Sequence, residues 1–144
     1  MQTIESYCAT QRGMLDAADE ILRNEVKDLR DGLWKEAADR KITLYRTFAV
    51  REAPNRLRVD WQKMKHYTAN GVACVAFERL TLNNSSKNRK SYKQSTTAFG
   101  RVDSFHSLVL TRLDPLLMII REKADLIGDA RVIITKLEYL AKAT

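Results

Sequence analysis

Apolar residues recur at spacings of three and four from Thr3 to Arg40, and that rhythm predicts one long N-terminal helix over residues 3–40. Ile4, Cys8, Met14, Leu15, Ala18, Ile21, Leu22, Val26, Leu29, Leu33 and Trp34 form its stripe, with charged residues on the other face. Thr3 or Ser6 can cap its start. Glu25 breaks the rhythm and Val26 shifts it, which favours packing on the chain's own core, or a short helical hairpin, over an extended coiled coil.

The period then changes to two. Ile42, Leu44, Phe48 and Val50 alternate with Lys41, Thr43, Thr47 and Arg51, while Arg46 interrupts the apolar face and Tyr45 the polar one. Ala53-Pro54-Asn55 marks a turn. Leu57, Val59 and Trp61 face one way, and Arg56, Arg58, Asp60 and Gln62 the other. Asn70-Gly71 is a strong hairpin signal, and Val72 to Leu82 reads as a third strand. The expected arrangement is an antiparallel meander with one face packed on helices and one facing solvent. A polar, lysine-rich loop follows at 83–91, and Ser91 to Phe99 suits a fourth short strand.

Helical spacing returns from Phe105 to Ala143, after Asp103 or Ser104 as cap. Leu108, Val109, Leu113, Leu116, Leu117, Ile120, Ala124, Ile127, Ile134, Leu137 and Leu140 supply its stripe. Pro115 fits either a kink or a fresh start after Asp114, and Gly128 is a further break point. The predicted fold is one α+β domain over residues 1–144. It has a long N-terminal helix, a three- or four-stranded antiparallel sheet, and a long C-terminal helix, straight or kinked, antiparallel to the first.

Composition narrows the function classes. The 44% hydrophobic content supports a core in 144 residues. The longest apolar run, Leu116 to Ile120, is far short of the roughly 20 residues of a membrane span. The first residues lack the order of a signal peptide, so the expectation is a cytoplasmic protein with no membrane partner. Cys8 and Cys74 stand far apart, without zinc spacing, and read as small apolar residues.

Charge changes the picture most. The net charge is +7, yet residues 1–40 hold six basic and nine acidic side chains, and residues 102–144 hold six of each. Residues 41–101 hold thirteen basic and three acidic side chains, an excess of +10. A local positive field of this kind attracts polyanions. Two groups carry it. Arg56, Arg58, Lys63, Lys65 and Arg79 lie on the strands, where they are either an ordinary solvated face or phosphate contacts. Lys87, Asn88, Arg89, Lys90, Tyr92 and Lys93 lie in the polar loop, which is either a linker or a nucleic-acid contact. Trp61 and Trp34 read as core residues, and Tyr92 as the aromatic best placed to touch nucleic acid.

No P-loop, nucleophile motif or dinucleotide fingerprint is present. His66 and His106 are isolated, and Asp60 and Glu78 are too sparse for a convincing metal site. The expectation is a non-enzymatic protein without cofactor or metal.

The segments RLRVDWQKMK at 56–65 and KNRKSYK at 87–93, with the helix from Ser107 to Leu140, resemble the MobI-type accessory proteins of conjugative elements, from about residue 18 onward. The resemblance implies a DNA-binding accessory role in conjugative mobilisation of a plasmid or integrative element. The action would be at a transfer origin, on double-stranded DNA, beside a relaxase or other transfer proteins. Pro115 and a C-terminal helix poorer in arginine depart from that pattern. The rival readings are a protein-interaction module, whose helices offer an apolar groove or homodimer face and recruit an acidic partner, and a small metal-dependent nuclease using Asp60 or Glu78.

Overall fold

The computed structural model describes residues 2–82 and 92–143. Helix α1 (Ile4–Asp39) is followed by strands β1 (Arg46–Ala53), β2 (Arg56–Ala69) and β3 (Val72–Arg79), the short helix α2 (Thr96–Phe99) and helix α3 (Ser104–Ala141). The fold is α+β, with two long helices flanking a three-stranded antiparallel sheet of order β1-β2-β3.

Local chemistry sets the boundaries. Thr3 and Ser6 form a reciprocal capping box at the start of α1: the Thr3 hydroxyl accepts from Ser6 N at 3.1 Å and the Ser6 hydroxyl from Thr3 N at 3.0 Å. The helix ends in a Schellman arrangement, with Lys41 at φ 54° and Ile42 N donating to Ala37 O at 2.8 Å. Asn70 and Gly71 both have positive φ, 52° and 76°, the signature of a type I′ hairpin turn between β2 and β3.

The long strand β2 serves two partners in succession. It pairs with β1 over Arg56–Lys63 and with β3 over Gln62–Ala69, so only Gln62 and Lys63 have a neighbour on both sides. Beyond Lys63 the sheet is therefore a two-stranded ribbon. Met64 and His66 at its start still touch the body, Met64 N donating to Tyr45 O at 2.9 Å and the His66 ring meeting the Leu44 carbonyl at 2.7 Å; beyond them nearly all side chains are exposed, and this remainder forms an arm.

The core lies under the β1–β2 half. Phe48, Leu57, Val59 and Trp61 pack against Leu22, Val26 and Leu33 of α1, Phe99 of α2, and Val109, Leu113, Leu117 and Ile120 of α3. The Trp61 ring meets both Phe48 and Phe99 edge-on, at 5.0 and 5.3 Å between centroids. Trp34, expected in the core, instead lies at its margin, 38% exposed. Its indole N–H donates to Thr47 and Arg30 stacks on its ring, because the buried α1 stripe runs through Leu33 and Ala37.

Helix α3 is continuous through Pro115 and Gly128. A fresh start at Asp114 is not seen. The Asp114 side chain instead turns into the core, where it accepts from Trp61 Nε1 (2.9 Å), Gln94 N (3.0 Å) and Arg121 Nη1 (2.9 Å). Gly128 is required by packing: a β-carbon there would lie 2.7 Å from the Arg56 β-carbon. The fourth strand is reduced to a single bridge between Leu82 and Gln94. Ser95 then caps a turn of helix at Ala98 N, and Phe99 is carried into the core.

The edge of β2 that β3 leaves open is covered by α3, where Arg121 Nε donates to the Val59 carbonyl at 2.9 Å. Among the described residues no helix is long and apolar enough to cross a membrane.

Candidate nucleic-acid interface

The structure divides the predicted basic residues into those satisfied inside the chain and those facing outward. Arg56 and Arg58, expected on a free strand face, both reach α3. Arg56 donates to Asp125 at 2.9 Å and Asp129 at 3.1 Å, and Arg58 to Asp125 at 3.3 Å. Their side chains project from the face opposite Leu57 and Val59, but α3 wraps the open edge of β2 and presents carboxylates there. Tyr92 is also turned inward. Its hydroxyl donates to Asp125 at 2.9 Å, and its carbonyl accepts from Arg121 at 2.7 Å. Burial first, then the hydrogen bond to Asp125, pushes the phenol up to about 12.

Lys65 pairs with Glu78 across the ribbon at 2.8 Å, and Arg51 with Asp60 at 2.8 Å. Glu78 is thereby held below the usual carboxylate range, first by the Lys65 hydrogen bond and charge and last by the charge of Lys63. Lys93 is exposed. Lys87, Asn88, Arg89 and Lys90 lie outside the described residues.

Lys63 and Arg79 make no salt bridge among the described residues. Lys63 does more than stand on a strand. It lines a cleft of about 460 Å³ at the base of the arm, together with Arg46 from β1 and Arg101 and Asp103 from the joint before α3. Lys63 and Arg46 are cross-strand partners in the β1–β2 ladder, which is why two cations from separate strands meet here.

Arg46 is the unusual member. It is only 6% exposed and has no carboxylate partner among the described residues. Its Nε donates to Phe99 O at 2.9 Å and its Nη1 to Tyr45 O at 2.8 Å, while Nη2 lies beside Gly100. Burial lowers its pKa from the ordinary arginine value, but a guanidinium remains charged in proteins.

Asp103 is already committed. Its Oδ1 caps α3 by accepting from His106 N at 2.9 Å and meets His106 Nδ1 at 2.7 Å. The backbone bond from His106, then the ring bond, holds this carboxyl below its usual range. On the far side of the ring, Nε2 accepts from Tyr45 N at 3.0 Å. An imidazole that accepts at Nε2 and donates at Nδ1 is neutral. Among the described residues the cleft thus gathers three cations against one carboxylate.

Arg46 and Arg101 were not among the residues singled out from the sequence. The signal for Arg46 was its interruption of an apolar face. No local signal marks Arg101, because only the α2–α3 joint brings it to the strands. Among the described residues no cluster of three or more His, Cys, Asp or Glu side chains is placed to hold a metal ion. No protein-family model, no curated protein and no solved structure matches the chain.

Proposed function

We propose that this chain binds double-stranded DNA through its phosphate backbone, at the cleft where the β2–β3 arm leaves the body. The observation that carries the reading is the convergence of Arg46, Lys63 and Arg101 on one cleft whose single carboxylate among the described residues is engaged by His106. Buried charge without a counter-charge is costly, and an anionic oxygen in the cleft offsets that cost for Arg46. The arm supports the duplex as partner, since a two-stranded ribbon fits the major groove of B-DNA. Arg79 at the arm's base extends the basic surface.

The resemblance to MobI-type accessory proteins extends the proposal to a transfer origin beside a relaxase, with no catalysis by this chain. Fluorescence anisotropy with a labelled duplex tests the binding. Lys63→Glu combined with Arg101→Glu is expected to weaken binding at least tenfold. Arg51→Glu, which removes a cation paired with Asp60 away from the cleft, is expected to change it less than threefold. Equal losses from both changes would remove the cleft from the interface. Equal affinity for an origin fragment and a scrambled duplex would confine the function to non-specific binding.

A further inference from the structure

The outer face of the helical layer carries a second apolar stripe that the core does not use. On α3, positions 116, 119, 123, 126, 130, 133, 137 and 140 step alternately by three and four, the a/d spacing of a coiled-coil seam. Leu116, Ile119, Leu126, Ile133 and Leu140 on this line are 44–65% exposed. Beside them α1 exposes Ile4, Met14 and Ile21. Isolated exposed aliphatics are ordinary, but a continuous row along two adjacent helices marks a contact surface.

We infer that this face is where a second copy of the chain docks, giving a four-helix dimer in which α3 of each copy lies over α1 of the other. The charges argue for self-association. Lys123 interrupts the α3 row, and Glu25 and Asp28 stand at the same level on α1, where they line one groove with it. Among the described residues none of the three makes an ion pair.

A two-fold axis parallel to the helices places α3 against the partner's α1 at matching height. Lys123 of each copy then faces the acidic pair of the other, twice over. This is the self-complementarity an isologous interface needs. It also makes every neighbouring helix pair antiparallel, as in up-down bundles.

Size agrees. The row from Leu116 to Leu140 runs about 36 Å at the helical rise of 1.5 Å per residue. With α1 alongside at the usual interaxial spacing, the face is about 20 Å wide. The resulting patch of about 700 Å² is close to the roughly 800 Å² each partner buries in a stable complex.

Sedimentation equilibrium of the full chain tests this directly. The wild type is expected at twice the 16.6 kDa chain mass. Leu126→Glu with Ile133→Glu is expected to be monomeric with an unchanged helical circular dichroism spectrum, since both side chains point to solvent in the single chain. Lys123→Glu is expected to weaken the dimer at least tenfold, and adding Glu25→Lys to recover it. A monomeric wild type at roughly 100 μM, far above the Kd range of standard-size interfaces, would overturn the inference. So would a dimer that survives the double glutamate change, because its contact would then lie elsewhere.

Discussion

Asp125 holds Arg56, Arg58 and Tyr92 from a buried position inside α3. Removing its carboxylate leaves two guanidinium groups and a phenol short of an acceptor. Asp125→Ala is expected to destabilise the fold by about 3 kcal/mol in chemical denaturation, the cost of breaking a buried pair. Gly128→Ala should cost about 1–3 kcal/mol by overpacking against Arg56. A cost below 0.5 kcal/mol for both, about the size of an ordinary surface change, would show that this network does not hold α3 to β2.

Titration follows from the same contacts. Glu36, Asp103 and Glu138 are held below their ordinary values of 4.5, 3.8 and 4.5, chiefly by hydrogen bonds from Arg112, His106 and Arg12. A carboxyl depressed on folding contributes stability above its unfolded pKa and loses it as pH falls through the folded one. Stability measured against pH should therefore be level near neutrality and decline below about pH 4.5. Tyr92 has the opposite sign. Its raised phenol contributes below pH 10 and loses that contribution between pH 10 and about 12, and an ultraviolet titration should show one phenol ionising near the top of that range.

The inward turn of Arg56 and Arg58 was not legible in the chain. Period two correctly put them opposite Leu57 and Val59, but no local pattern says that a helix some 70 residues away covers that edge.

At the scale of elements, the arm and α3 each follow from a simple pattern with one complication. The arm is set by Asn70-Gly71, which was legible because few residues tolerate two successive positive φ values. Its reach was not, since pairing of β2 with β1 ends at Lys63 for reasons outside the strand. A two-stranded ribbon is weakly stable on its own. Backbone amides beyond His66 are expected to exchange with solvent much faster than those of Val59 and Trp61 in the shared core. Equal protection would mean that the arm is covered in solution.

In α3 the sequence pattern merges two stripes. The buried one runs through Val109, Leu113, Leu117, Ile120 and Ala124, while Leu108, Leu116 and Leu140, expected beside them, face outward with Ile119, Leu126 and Ile133. A helix apolar on two sides gives no single periodic signal, and only the position of α1 and the sheet decides which side is inside. Pro115 was compatible with a break, yet it is accommodated within α3 at an exposed position while Asp114 is anchored in the core.

Over the whole molecule, the excess of positive charge is confined to residues 41–101, but folding redistributes its meaning. Arg51, Arg56, Arg58 and Lys65 are paired within the chain, while Lys63, Arg101 and the buried Arg46 line one cleft and Arg79 stands at the base of the arm. The charge excess was legible from composition. The cleft was not, because it needs β1, β2 and the α2–α3 joint together.

The salt dependence of duplex binding tests the cleft most directly, measured as log Kd against log salt for the wild type and for Lys63→Gln with Arg101→Gln. If both side chains neutralise phosphates, the variant binds more weakly and its slope is shallower by about 2. An unchanged affinity and an unchanged slope would contradict it.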